Sequence, residues 1–356
     1  MSTLLVLGGT SWLGGAVARH ARDAGHDVTC LARGSSGSVP DGVTWVTGDR
    51  DDPAAAYTEV ASRDRDAVVD VARQPVHVRG ALDALAARAG HWLFVSTCSV
   101  YADNGTPGAD ESAALHEPWV GPDPLALAPD EEYGPAKVAC EQAVLAARPD
   151  ALVARSGLIV GYGDRSDRFG YWPARFARAA GSPHRDVDGE VLLAPRDQAL
   201  QVVDVEDFAA WLVRCAADRT GGVVNAMSPS LTLGDLYDAC AAALDGPPPA
   251  AAEPSDGWLQ GREVTPWMGP DSLPLWLPQP EYAGFMTRDV AAAEQAGLTF
   301  RPLAEIVRAS LAWERERGLD RDRRAGLTPA YEAELVTAWR AEAPGTSPVS
   351  APVPTA

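Results

Sequence analysis

The chain reads as an α/β protein, a Rossmann-type doubly wound parallel sheet with a smaller C-terminal α/β region for substrate. Three observations lead there. Short β-rich runs alternate with Ala-rich helical stretches over the first 155 residues. A glycine-rich turn joins the first run to the first helix, and a Tyr-x-x-x-Lys pair opens a later helix.

The β-rich runs are Thr3–Leu7, Val28–Ala32, Val43–Val46, Ala67–Val71, His91–Thr97 and Ala151–Arg155. Helical stretches fall at Gly14–Ala24, Pro53–Ser62, Val76–Ala87 and Glu131–Ala147. Gly25 ends the first helix, and Asp52-Pro53 starts the next, with a capping carboxylate followed by proline in the first turn. After Arg155 the rhythm loosens into a stretch rich in Gly, Arg and aromatics, then resumes at 199–203, 205–217 and 222–227. A helix is expected at 232–244, a Pro- and Trp-rich segment at 245–287, and further helices at 288–296, 302–317 and 328–342. The expected organisation is a dinucleotide-binding domain over 1–160 and 197–227 and a substrate-binding region over 161–196 and 228–343. The Pro/Ser/Ala-rich tail 344–356 has a disordered composition.

Composition narrows the function. The net charge of −19 repels phosphate backbones and anionic lipid, so neither nucleic acid nor a membrane is an expected partner. No stretch reaches the roughly 18 apolar residues of a membrane span, and the N-terminus lacks the basic start of a signal peptide. The five cysteines are odd in number and scattered, which fits reduced thiols in a cytoplasm. With the histidines equally dispersed, no metal site is expected. The expected partner is a small-molecule substrate, with the chain a monomer or a homodimer.

The segment Gly8-Gly9-Thr10-Ser11-Trp12-Leu13-Gly14 follows the first strand and opens the first helix. A dinucleotide's pyrophosphate belongs there, because a helix N-terminus offers free N–H groups and a positive dipole end. Gly8 suits the tight turn, Gly9 the close approach to phosphate and Gly14 the contact between helix and sheet. Ser11 occupies the place of a middle glycine. At the end of the second strand the acid that would bind the ribose hydroxyls of NAD is missing. Arg33, with Ser35 and Ser36, instead offers a pocket for the 2′-phosphate of NADP. NADP(H) is therefore favoured, with NAD(H) as the alternative. Gly48-Asp49-Arg50 puts a carboxylate either near the adenine or in a turn. Ala72, Ser96 and Ser156, at strand ends, complete the expected cofactor set.

Tyr133 and Lys137 stand four apart on one helix face. An ammonium beside a phenol favours phenolate and brings the tyrosine toward the range of a general acid/base. The chain has 29 arginines and one lysine, and a sole lysine falls four after a tyrosine by chance about 2% of the time. Thr97, at the end of the fifth strand, is the expected hydroxyl partner, with Ser99 as the alternative and as a substrate contact. Arg165, Arg168, Arg175, Arg178 and Arg185 either grip a substrate diphosphate or form a solvated helix face. Tyr171 and Trp172, among other aromatics, either line an apolar pocket or pack the interior.

Together the glycine loop, the strand-end Thr97 and the Tyr133/Lys137 pair resemble the extended short-chain dehydrogenase/reductase superfamily, in its NAD-dependent epimerase/dehydratase branch. The resemblance covers residues 3–318, and the glycine spacing is similar to that of the atypical, isoflavone-reductase-like members. It implies Thr97, Tyr133 and Lys137 as catalytic set. Arg155-Ser156-Gly157 resembles the family's Arg-Pro-Gly, with Ser156 in place of proline. Sugar-nucleotide dehydratases carry Asp-Glu where this chain has Cys98-Ser99, so that elimination chemistry is not expected. The resemblance implies an NAD(P)H-dependent oxidoreductase of a small carbonyl or alcohol. The alternatives are a sugar-nucleotide 4-epimerase with tightly held NAD, and a non-catalytic dinucleotide-sensing or RNA-binding protein.

Overall fold

A computed structural model describes residues 1–121, 130–181 and 189–342. The tail expected from 344 and Arg185 lie outside the described residues. Seven strands form one parallel sheet: β1 (Thr3–Leu7), β2 (Asp27–Ala32), β3 (Thr44–Thr47), β4 (Ala67–Asp70), β5 (Trp92–Thr97), β6 (Leu152–Ser156) and β7 (Gly222–Ala226). Their order is β7-β6-β5-β4-β1-β2-β3, so the chain reverses direction across the sheet between β1 and β4. Ligands of doubly wound sheets bind outside the strand C-termini at that reversal.

Strand alternation decides which residues meet which helix. On β1, Leu4 and Val6 face one layer, with Val17 and Ala21 of α1 (Trp12–Asp23) and Phe208 and Leu212 of α4 (Val205–Asp218). Leu5 and Leu7 face the other, with Val78 and Leu82 of α2 (Pro75–Leu85) and Cys140 and Val144 of α3 (Asp130–Ala147). This period of two, read on a strand buried on both sides, is what makes the run Leu4–Leu7 continuously apolar.

The chain divides into two compact units. Unit 1 comprises residues 1–164, 199–231 and 279–309, and contains the whole seven-stranded sheet. Residues 279–309, expected with the substrate region, cluster instead with the sheet unit. Ala293 and Leu298 are buried in its core, Trp211 donates from its indole to the Ala296 carbonyl, and Gln201 holds the Arg288 backbone at both N–H and carbonyl. Unit 2 comprises residues 165–198, 232–278 and 310–356. Its helix Arg168–Gly181 packs on strand Glu190–Leu192, which pairs in parallel with Ala250–Ala252. Glu332 is sealed inside this unit, accepting from Arg175 at 2.6 Å and from the Leu192 amide at 3.0 Å. Among the described residues no helix is long and apolar enough to cross a membrane.

Candidate active site

A cleft of about 390 Å³ opens at the C-terminal ends of β1, β2 and β4, lined by Gly8, Thr10, Ser11, Ala32, Arg33, Ser35, Ser36, Arg50 and Ala72–Gln74 among others. The glycine loop forms its floor. Gly8 has φ +97°, a conformation that glycine adopts without strain. Gly9 meets a demand that its sequence position did not suggest: a Cβ there would lie 2.2 Å from Cys30 Sγ on β2. Gly14 packs on the loop rather than on the sheet, since its Cβ would meet the Gly8 carbonyl oxygen at 2.2 Å. Burial pushes the Cys30 thiol up to about 12, so it remains an uncharged packing group. Ser11 caps α1: its hydroxyl donates to the Gly8 carbonyl at 2.7 Å and accepts from the Gly14 amide at 3.2 Å. Leu13 points into the core, and the Trp12 indole donates to the Tyr162 carbonyl.

The three charged residues assigned to the adenosine end differ in their surroundings. Arg33 is half-exposed and lies 3.1 Å from Asp51 and 3.6 Å from Asp49. Asp49 accepts the Asp51 amide, the geometry of a turn residue. Asp51 also meets the His77 ring at 2.6 Å. Arg50 is buried and clamped, with two bonds to the Asp70 carboxylate at 2.9 and 3.0 Å, one to the Tyr57 hydroxyl and one to the His77 carbonyl. Burial opposes its charge, but Asp70 more than compensates and holds the guanidinium above the ordinary arginine range. Arg50 therefore buttresses the cleft wall from behind.

Lys137 is 2% exposed. Its ammonium donates to the carbonyls of Ala72 at 2.8 Å and Val95 at 2.7 Å, and sits 4.0 Å from the centre of the Phe94 ring. Burial pushes its pKa down to about 8, against the pull of nearby Asp70 and Glu141. Through Ala72 the ammonium is joined to the wall of the cleft. Tyr133, one turn earlier on α3, is half-buried. Its turn reaches the strand-end hydroxyls because Gly134 has no side chain: a Cβ there would come 2.3 Å from the Ser99 carbonyl oxygen. Thr97 caps the short turn Cys98–Val100, accepting the Ser99 amide and donating to the Ser99 hydroxyl, both at 3.2 Å. Thr97, Ser99 and Tyr133 thus sit at the junction of β5 and α3.

Two features escaped the sequence. Arg73, one residue past Ala72, lines the cleft and carries its guanidinium 5.2 Å above the centre of the Tyr133 ring. Beneath the site runs a buried polar network. Ser96 donates to Glu141, which Arg155 grips at 2.8 to 3.2 Å. Arg155 reaches on to the Tyr101 hydroxyl, and Tyr101 donates to Asn225. The signal for Glu141 was present, one helical turn beyond Lys137 on the same face. Ser96 and Ser156, expected at the cofactor, are both buried, with the Ser156 hydroxyl on the Ser96 carbonyl.

The residues assigned to substrate belong to both units. Ser99 belongs to the β5 end in unit 1. In unit 2, Arg165 is exposed and the Arg168 guanidinium lies over the Trp267 ring. Arg175 is buried on Glu332 and Arg178 stands 4.0 Å from the same carboxylate, so neither forms a solvated face. Tyr171 and Trp172 are core: Trp172 is fully buried, donates to the Pro274 carbonyl, and packs edge-on to Tyr171 and against Tyr237. Among the described residues no group of His, Cys, Asp and Glu is arranged to hold a metal ion.

Comparison with known proteins agrees with the fold. No curated protein matches the chain. Solved structures match along most of it. A protein of Burkholderia cenocepacia J2315 is 20% identical, with TM-score 0.66 over 88% of this chain and 98% of its own. The Bordetella bronchiseptica enzyme WbmH, solved in complex with NAD+, is 20% identical, with TM-score 0.64 over 89% and 99%. The UDP-glucose 4-epimerase of Thermotoga maritima, solved with UDP-glucose, is 16% identical, with TM-score 0.61 over 88% and 99%. Identities this low establish the fold, and the sequence match is confined to the N-terminal part. Residues 4–84 match the NAD dependent epimerase/dehydratase family, on the Rossmann-type fold that these solved structures share.

Proposed function

We propose that the protein is a nicotinamide-dinucleotide-dependent oxidoreductase that interconverts a carbonyl and an alcohol on a small metabolite. The observation that carries this reading is Lys137, a buried ammonium tied through Ala72 to the wall of a cleft at the sheet's reversal point, one helical turn from Tyr133. The cleft suits the cofactor's chemistry. It combines a glycine loop at a helix N-terminus with hydroxyls from Thr10, Ser11, Ser35 and Ser36 and the guanidinium of Arg73.

A bound dinucleotide would supply or accept the hydride. Tyr133 gives or takes the proton of the substrate oxygen at its phenol. Thr97 orients that oxygen with its hydroxyl, Ser99 beside it being a second donor. Lys137 would hold ribose hydroxyls and, as a cation near the phenol, favour its ionised form. Arg33, Ser35 and Ser36 line the cleft beyond β2, and their presence without a β2 carboxylate supports NADP over NAD. Asp49 and Asp51 compete for Arg33 and weaken that preference.

A second reading, a sugar-nucleotide 4-epimerase, draws support from the family match and from the UDP-glucose 4-epimerase of like fold. It needs the same Tyr133, Thr97 and Lys137 with a cofactor that never leaves. Arg175 and Arg178, held by Glu332, give it no diphosphate grip.

The deciding experiment is a gel-filtered sample assayed for retained dinucleotide, then titrated with NADPH and NADH. Reversible binding, tighter for NADPH, supports the NADP-dependent oxidoreductase. Tightly retained NAD, with turnover of UDP-sugars and no net redox change, moves the assignment to an epimerase. No binding of either dinucleotide overturns both readings.

A further inference from the structure

Three arginines line the cleft, and two have carboxylate partners: Arg33 with Asp49 and Asp51, Arg50 with Asp70. Arg73 has none among the described residues. Its residue is exposed, its guanidinium stands 5.2 Å from the centre of the Tyr133 ring, and its charge reaches Lys137, whose pKa it helps to lower. A ring contact of this kind takes up none of the guanidinium's five N–H donors, a set that matches a phosphate with two parallel bonds.

A second observation concerns what the loop can offer. In a helix N-terminal phosphate site the free amides do the binding. Here the Ser11 hydroxyl already accepts the Gly14 amide, so α1 has one donor fewer for an anion. The chain also carries a net charge of −19, with Asp49 and Asp51 flanking the cleft, an unfavourable field for a diphosphate.

We propose that Arg73 is a phosphate clamp, holding the pyrophosphate of the dinucleotide with the charge and donors that the capped loop lacks. The inference rests on the dinucleotide reading above. Because the same guanidinium lies over Tyr133, cofactor binding and the placement of the proton-transfer ring are coupled through one side chain.

The test compares wild type with Arg73→Gln and Arg73→Lys for binding of NADPH, NADH, ADP-ribose and uncharged adenosine. Arg73→Gln should weaken both dinucleotides and ADP-ribose by roughly 10- to 100-fold, the range for a lost charged hydrogen bond. Its binding of adenosine, measured by ligand-observed NMR, should match wild type and so certify a folded cleft. Arg73→Lys, which keeps the charge without the fork, should fall between. The salt dependence of dinucleotide binding should be shallower in Arg73→Gln. Wild-type affinity of Arg73→Gln for ADP-ribose overturns the clamp and leaves the dinucleotide reading standing. Equal weakening of adenosine and ADP-ribose also overturns it, by showing a general distortion of the cleft. Failure of the wild type itself to bind any dinucleotide removes both.

Discussion

The ammonium of Lys137 donates to the carbonyl of Ala72 across 2.8 Å, joining helix α3 to the segment that leaves β4 at the cleft. A second bond reaches Val95 on β5, so one side chain ties two consecutive strand-helix units together. A buried cation whose hydrogen bonds go to neutral carbonyls is costly, and that cost gives the site a distinctive pH signature.

Burial holds the folded lysine down at about 8, against 10.5 for the free side chain. Between those values the unfolded chain binds the extra proton, so this group's contribution to stability rises with pH. Below about 8 the penalty is fully present. Wild type should therefore gain roughly 3 kcal/mol on Lys137→Met between pH 7 and pH 10.5, the free energy of a shift of that size. Denaturant titrations of both proteins across that range measure it, and taking the difference removes the other groups that ionise there. A pH-independent gap would show that the lysine is not desolvated as described.

Tyr133→Phe removes a phenolic oxygen and keeps the ring under Arg73. Dinucleotide affinity should stay within about two-fold, while turnover drops by roughly 10²- to 10⁴-fold, the usual contribution of a positioned acid/base group. Steady-state kinetics paired with fluorescence titration separates the two effects. Retained turnover would mean that another group moves the proton.

The glycines of the first turn make unequal demands. Gly9→Ala drives a methyl into Cys30, and Gly14→Ala drives one into the Gly8 carbonyl, so each should cost about 1–3 kcal/mol and reduce cofactor binding. Gly15 lies in the same helix, and a Cβ there meets nothing closer than 3.6 Å. Gly15→Ala should be neutral or stabilising by about 0.5–1 kcal/mol, since alanine loses less backbone freedom in a helix. Melting curves of the three variants distinguish packing glycines from permissive ones.

The fold was legible because its signals are local. The apolar run Leu4–Leu7 and the turn at Gly8 follow from neighbouring residues, and so does Pro53 in a first helical turn, although Asp52 makes no capping bond and that helix ends at Ala56 rather than Ser62. Tyr133 and Lys137 were legible for the same reason, as two positions on one helix face. What depended on distant partners was not. Nothing around Arg50 foretells Asp70, twenty residues on, and a glycine motif carries no hint that Gly9 is small to admit Cys30. Tyr171 and Trp172 look alike in sequence whether they line a pocket or a core, and only the tertiary partners Pro274 and Tyr237 decide it.

The network beneath the site makes the last case. Glu141 and Arg155 are 2% and 4% exposed and form a forked pair that also holds Ser96 and Tyr101. Breaking one side strands the other charge in a dry interior, which costs about 3–5 kcal/mol, whereas replacing both with apolar residues of like size is often nearly neutral. Glu141→Gln and Arg155→Met should each lower stability by that amount in denaturant titrations, and Glu141→Leu/Arg155→Met should recover most of it. Turnover should behave differently. Ser96 precedes Thr97 on β5, and the pair fixes the strand end from which Thr97 projects. The double variant should thus remain folded yet lose turnover by at least about 10-fold, the sensitivity expected when a catalytic hydroxyl shifts by a fraction of an ångström. A double variant that is stable and fully active would show that the network serves the fold alone.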